Sequence, residues 1–386
     1  MKGLDGRSPT LAVVFASRKY EDVDEVVRAV HAVTGPVAFV GGTSGGRVLG
    51  PRADAPFGVS VVLLGGDDLD VSVRSVEVSS TDLLEVVPIA EEIARDADEA
   101  ASRGYENYAC LVFAPGLSID GECLAAAVRK GAGARAQLAG GLTGDDLAMD
   151  DRALVIAEGE LRSAAVVLCG IFSKRAIGIA ARHGSHPVGP IRTVTRMEGR
   201  VLVSLDDRPA LDVWLEDARQ AGAEPPADNR DVAFYLANHY DLGIVPGPLR
   251  QSSPPCEREL VARAPQAIAD DGGVTLSASI AEGTHVRVMN TKPEDSVRAA
   301  REAAALARSR VDGPIAGALV FPCSGRLATG PAFAEEISTI RHEIGAPIGG
   351  SCVYGEIARN VSDADAFFNS TTVIVAFGGP PEAPAN

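Results

Sequence analysis

The sequence predicts an α/β protein with mixed sheets and covering helices, organised as two domains containing a recurring strand–helix–strand unit that closes on a Gly-Gly turn. Three observations carry that expectation. The unit recurs three times: LAVVFAS (11–17) leads to PVAFVGGTSGG (36–46), ACLVFAPG (109–116) to AQLAGGLTGDD (136–146), and GALVFPCSGR (317–326) to PIGGSCVYGE (347–356). The Val-Phe strands are apolar on both faces, as strands are when other layers cover both sides. Between strand and glycine turn, each copy carries a stretch with helical character, clearest in the first, where the apolar residues fall at helical spacing. From the Val-Phe pair to the glycines the offsets are similar, Val14 to Gly41, Val112 to Gly140 and Val320 to Gly349.

In chain order, helices are expected over residues 21–32, 81–103, 120–131, 293–310 and 332–344. The first carries an apolar stripe of Val23, Val26, Val27, Val30 and Val33. The second opens on Ser80, Thr81 and Asp82, residue types that cap a helix N-terminus, and Gly104 stops it. Returning strands are expected at 58–64, 153–159, 164–172 and 371–377. The paired glycines permit positive φ and let the backbone approach a neighbour or a ligand closely. Loop and glycine turn end two neighbouring strands, so both are expected at one sheet edge, where small ligands bind in α/β layers. Residues 221–230 (AGAEPPADNR) and 246–257, with Pro248, Pro254 and Pro255, read as loops. The domains are therefore expected at 1–215 and 216–378, before a disordered tail at 379–386.

Composition excludes several functions. The chain has 386 residues, 46% apolar and 23% charged, which is globular. Lys and Arg number 36 against 52 Asp and Glu, a net charge of −16 that repels nucleic acids and anionic membranes. The N-terminal apolar run (11–16) is short for a secretory signal, and the longest apolar stretch (164–172) falls well below the roughly 20 residues of a membrane span. Cys110, Cys123, Cys169, Cys256, Cys323 and Cys352 form no C-x-x-C pair. Reduced thiols in a cytoplasmic protein are the expectation.

Few motifs carry chemistry. Gly42 to Gly46 match G-x-S-x-G after a strand, but Gly50, Pro51 and Pro56 forbid the helix that a hydrolase elbow needs. No phosphate-binding P-loop is present, and structural turns are the favoured use of these glycines. His183 and His186 are three apart, but Gly184 and Pro187 favour a loop and no further metal ligands lie nearby. His342-Glu343 reads as a helix-surface pair, and His31, His239 and His285 as ordinary isolated histidines. Cys323, Ser324 and Arg326 end the third Val-Phe strand, where the arginine could lower the cysteine pKa. Ligand contact is favoured over catalysis there, with a buried structural turn the alternative. Glu356 follows the matching glycine turn; with Arg326 it could grip a zwitterion, or the two could pair with each other.

These residues resemble the FIST family, a bacterial sensory module. The N domain is carried by VVFAS, the GG-x-x-x-G turn, GGLTGDD and the run HPVGPIRTVTRMEGRVLVSLDDRPALDVW (186–214). The C domain is carried by AEGTHVRVM (281–289), FPCSGR (321–326) and GGSCVYGEI (349–357). The resemblance implies a sensor of small ligands such as amino acids or their derivatives, signalling through a partner such as a histidine kinase. One subset of relatives binds haem and senses nitric oxide; here His183, then His186, would be the axial ligand. An aromatic usually follows His-Gly in the family, where this chain has Ser185, and Ser351-Cys352 stands where bulkier residues are common. The leading expectation is a non-enzymatic sensor without a metal, its ligand near Ser17, Gly42, Thr43, Ser44, Cys323, Ser324, Arg326, Tyr354 and Glu356. Arg326→Ala is then expected to abolish binding with little change in fold. An enzyme using Cys323 is the third reading.

Overall fold

The computed structural model describes Leu4 and residues 8–245, 247, 260–359 and 365–380. Cys256, most of the 246–257 loop and the end of the tail lie outside the described residues.

The first part of the chain runs β1 (Pro9–Ala16), α1 (Val23–Thr34), β2 (Ala38–Thr43), β3 (Val48–Leu49), β4 (Asp54–Ala55), β5 (Val59–Gly65) and β6 (Leu69–Glu77). Next come α2 (Val86–Ser102), β7 (Asn107–Pro115), α3 (Gly121–Ala132), β8 (Gln137–Thr143), β9 (Val155–Ala157), β10 (Glu160–Arg162), β11 (Ala165–Ser173) and β12 (Ile177–His183). A middle region holds β13 (His186–Pro187), β14 (Arg192–Glu198), β15 (Val201–Leu205), β16 (Arg208–Pro209), α4 (Ala210–Gln220) and α5 (Asn229–His239). It continues through β17 (Leu242–Ile244), β18 (Val261–Arg263), β19 (Pro265–Ile268), β20 (Val274–Leu276) and β21 (His285–Asn290). The last part runs α6 (Pro293–Ser309), β22 (Ile315–Pro322), a 3-10 turn (Ser324–Thr329), α7 (Pro331–Ile344), β23 (Ile348–Ser351), β24 (Glu356–Arg359), β25 (Asp365–Phe368) and β26 (Thr371–Gly378).

The mixed α/β architecture is present, and each recurring unit builds a sheet. Its centre is a parallel pair, β1–β2, β7–β8 or β22–β23, with an antiparallel returning strand, β5, β11 or β26. Each sheet also takes a hairpin from another unit. β3–β4 joins β23, β9–β10 joins β2, and β24–β25 joins β8. The exchange is cyclic, so the three units close around a pseudo-threefold axis. Residues on both sides of position 215 consequently share sheets, as in β12 with β26 and β24 with β8.

Side chains at the axis explain the Val-Phe repeat. Phe15, Phe113 and Phe321 are all fully buried and meet edge to face, with ring centroids 5.6, 6.0 and 5.8 Å apart. That geometry adds about 0.5–1.5 kcal/mol per pair beyond area burial. One glycine of each turn is required by contact as well as conformation. Gly41, Gly140 and Gly350 have φ of 132°, 127° and 138°, and lie against Val14, Val112 and Val320 of the preceding strand. The third pairing is with Gly350, one residue beyond the Gly349 that the offsets suggest.

Helices α1, α3, α6 and α7 fall within two residues of expectation. Asp22 and Asp120 cap α1 and α3 through backbone N–H groups of their first turns. Two expectations fail. α2 begins at Val86, not near Thr81, because the Glu85 carboxylate turns back to accept from the Ser80 N–H and hydroxyl while Leu83 takes φ 54° to bury its side chain. Val33 is 84% exposed, since the apolar stripe of α1 reaches the sheet chiefly through Val23 and Val27.

The middle region packs α4 and α5 around Trp214, whose Nε1 donates to Tyr240 O at 2.8 Å. Its strands follow the order β18-β17-β21-β14-β15-β20-β19. Among the described residues no helix is long and apolar enough to cross a membrane.

Candidate functional site

Parallel pairing puts the carboxyl ends of both central strands of each unit at one edge, so all three glycine turns converge at one end of the axis. They bond to one another in a closed ring. Gly144 N–H donates to Thr43 O, Tyr354 N–H to Leu142 O, and Gly45 N–H to Cys352 O, at 2.8 to 3.1 Å.

Most expected ligand residues are occupied by that ring. Ser17 Oγ donates to Asp146 Oδ2 at 2.6 Å, and Thr43 Oγ1 to Gly144 O at 2.6 Å. Ser44 Oγ accepts the Gly46 N–H, while Ser324 Oγ donates to Gly45 O at 2.6 Å. Tyr354 donates to Asp145 and accepts the Leu147 N–H. A Cβ on Gly42 would lie 2.3 Å from Leu154 O, so this glycine serves packing between units. After Ser44 the chain enters β3 and no helix, as the prolines require.

Arg326 and Glu356 do not form a grip at one edge. Arg326 is 3% exposed; its Nε donates to Glu336 Oε2 at 2.8 Å, and its two terminal nitrogens to Ser370 O and Ser296 O. Its carboxylate partner is Glu336 of α7, not Glu356. Every guanidinium nitrogen is thus bonded within the protein.

A different group remains. Glu356 is fully buried; its Oε2 accepts the Thr371 N–H at 3.2 Å, and the Cys323 thiol reaches the same carboxyl. Asp241, between α5 and β17, is 3% exposed and acts electrostatically on both. Gly325 faces them, since a Cβ there would sit 3.8 Å from Cys323 Sγ and 4.0 Å from Asn238 Oδ1. Among the described residues, Glu356 Oε1, Asp241 Oδ1 and Asn238 Nδ2 are buried without a hydrogen-bond partner. Asp241 and Asn238 escaped sequence reasoning because NHYDLG carries no motif; only the packing of α5 against the 3-10 turn brings them here.

Burial sets the protonation of this cluster. It pushes Glu356 well above the usual carboxylate range and Asp241 up to about 7. Burial also raises the Cys323 thiol, with the Glu356 charge adding to it. The expectation of a thiolate promoted by Arg326 is therefore reversed: desolvation and two carboxyl neighbours hold Cys323 as a thiol, a weak nucleophile.

A stability test follows. The unfolded chain ionises Asp241 near 3.8, whereas the folded chain keeps the proton to about 7. The folded state binds the extra proton, so this contribution is complete below pH 4 and is lost as pH rises toward and past 7. Denaturant titrations at pH 4 and pH 8 should show a loss of up to about 4 kcal/mol from this group. Asp241→Asn should flatten the profile. An unchanged slope would place Asp241 in water.

The histidines lie on strands, not in a loop. His183 ends β12 and His186 begins β13, where its Nδ1 lies 3.6 Å from Asp295 Oδ2. Ser185 between them is buried and shares a 2.5 Å hydrogen bond with Thr291. A cavity of about 410 Å³ lies elsewhere, lined by β3, β5 and β23 residues that include no His, Cys or Met. That cavity offers haem no axial ligand, so haem does not fit there. Among the described residues no group of three or more His, Cys, Asp or Glu is placed to hold a metal ion. Cys110, Cys123, Cys169, Cys323 and Cys352 are free thiols.

Comparison with family models defines the class: a two-domain sensory module, matched by the FIST N domain over residues 10–208 and the FIST C domain over residues 210–359. The chain belongs to the FIST family, whose domains are small-ligand sensory modules of signalling proteins. No curated protein matches it. Among solved structures, a cyanuric acid hydrolase from A. caulinodans aligns at 12% identity and a TM-score of 0.19, covering 81% of this chain and all of that one. The likeness is too slight to bear on fold or activity.

Proposed function

We propose that this chain is a cytoplasmic, non-enzymatic sensor that binds a small molecule bearing a protonated amine, such as an amino acid or derivative, and signals through a partner such as a histidine kinase. The observation that carries the reading is the Cys323–Glu356–Asp241 cluster. Two buried carboxyls each keep an oxygen with no partner among the described residues, and the Arg326 guanidinium is already bonded to Glu336. Buried carboxylates are stabilised by a paired cation, and an ammonium supplies the charge and up to three donors. Asn238 Nδ2 adds a donor for an oxygen of the same ligand.

Because these groups are buried, a ligand reaches them only when α5 or the 324–329 turn shifts. Binding is then coupled to a change of shape, which is what a sensor passes to its partner. The test is a thermal-shift screen of amino acids and simple amines. A ligand at a hundred times its Kd adds about 2.7 kcal/mol, and the shift should vanish in Glu356→Gln. A shift retained in that variant, or none from any amine, would refute the assignment.

A further inference from the structure

The cluster of Cys323, Glu356 and Asp241 has a shallow side. Those three residues are buried, whereas Gly325 of the 3-10 turn and Asn238 of α5, which face them, are half-buried. A Cβ on Gly325 would meet nothing nearer than Ala237 O at 3.7 Å, Cys323 Sγ at 3.8 Å and Asn238 Oδ1 at 4.0 Å. Gly325 is not among the glycines at positive φ, so its missing side chain answers no conformational need. It leaves room for at least a methyl group between the turn and α5.

The polar atoms left open there are unbalanced. The N–H groups of Gly325 and Ser370 are directed to Cys323 Sγ, that of Thr371 to Glu356 Oε2, and the Ser370 hydroxyl to Asp241. Among the described residues, the atoms of this cluster without a partner are then two carboxyl oxygens, Glu356 Oε1 and Asp241 Oδ1, against one amide donor, Asn238 Nδ2. The Arg326 guanidinium acts on Glu356, but each of its nitrogens is already donated, to Glu336, Ser370 O and Ser296 O.

We propose, resting on the amine site above, that the cluster selects amines without a carboxylate over the amino acids themselves, and that Gly325 sets the size it admits. Such an amine is what remains when an amino acid loses CO2 and gains a proton. Its ammonium brings one positive charge and three donors to two carboxyl oxygens, and pairing favours the ionised carboxyl beside it. In an amino acid the carboxylate is carried on the same carbon as the nitrogen, so both charges enter one small space. The carboxylate would be buried beside Glu356 and Asp241, with the Asn238 amide to bond it and the Arg326 guanidinium already spent. Like charges repel strongly in a desolvated site, so the amino acid is rejected by the same groups that hold the amine.

The test is calorimetric titration of the full chain, near neutral pH, with two matched sets: ethylamine, alanine and alaninamide, and isobutylamine, valine and valinamide. The amine should bind at least a hundredfold tighter than its amino acid. The amide, whose oxygen can take the Asn238 N–H without a charge, should recover at least a tenth of the amine's affinity. Gly325→Ala, with its Cβ at ordinary contact distance, should weaken the amine at least threefold at an unchanged Tm, and Gly325→Val at least tenfold. Full affinity in both variants would overturn the role of Gly325. An amide as weak as the amino acid would assign the rejection to bulk and overturn the charge argument. An amino acid that binds as tightly as its amine, both being lost in Glu356→Gln, would overturn the selection and leave the amine site standing. Silence from all six probes, with an equally silent amine screen, would overturn the amine site itself.

Discussion

Arg326→Ala is expected to destabilise the folded chain by about 3–5 kcal/mol, the range seen when one partner of a buried ion pair is removed. The guanidinium joins four pieces: its own turn, Glu336 of α7, Ser296 O of α6 and Ser370 O before β26. Without it Glu336, fully buried, has no counter-charge and must take up a proton. Denaturant unfolding of Arg326→Ala measures the loss. Arg326→Met combined with Glu336→Leu should recover most of it, because apolar residues of similar volume replace a buried pair with little penalty. If Arg326→Ala kept its stability and lost only ligand affinity, the role expected from sequence would be restored and the structural one given up.

Gly41→Ala, Gly140→Ala and Gly350→Ala should each be more damaging still. A Cβ at these positions would lie 1.9, 2.3 and 2.2 Å from the carbonyl oxygens of Val14, Val112 and Val320. The obstructing atoms are backbone in a buried parallel pair, so no side chain can swing aside. A loss of about 4 kcal/mol or more is expected for each, at the extreme of single-substitution effects. Gly133→Ala is the control. It has φ 73° at the end of α3 with nothing within 4 Å, so only the conformational penalty of about 1–2 kcal/mol applies. Equal losses at Gly41 and Gly133 would show that φ alone, and not the contact, accounts for the glycine.

Much of this protein is legible in its residues because the signals are local and repeated. The apolar Val-Phe strands, the helical stretches and the glycine turns recur three times, and the motifs around GGLTGDD and FPCSGR carry the family. Each is written within some thirty residues of chain, so propensity and periodicity suffice to find it. The failures share a cause as well. Val33 belongs to the helical stripe by spacing, yet α1 buries Val23 and Val27 and leaves it in solvent. Ser80 and Thr81 are good capping residues, but the Glu85 carboxylate captured the same backbone, and a local competition of that kind is decided by the turn that buries Leu83.

The candidate site divides in the same way. Cys323 and Glu356 stand in recognisable motifs and are brought together, whereas Ser17, Thr43 and Ser324, equally prominent in sequence, are consumed by bonds between units, and Ser44 by the Gly46 N–H of its own turn. No pattern distinguishes a hydroxyl that bonds a ligand from one that bonds the next turn. Asp241 joined the cluster through packing between segments far apart in the chain, and Glu336, ten residues on in the next helix, took Arg326 from Glu356. The residues alone therefore decided the repeated unit, its order of elements and the family. Only the folded chain decided which hairpin crosses to which sheet and which charges pair, because those depend on long-range burial and on which polar groups water can no longer reach.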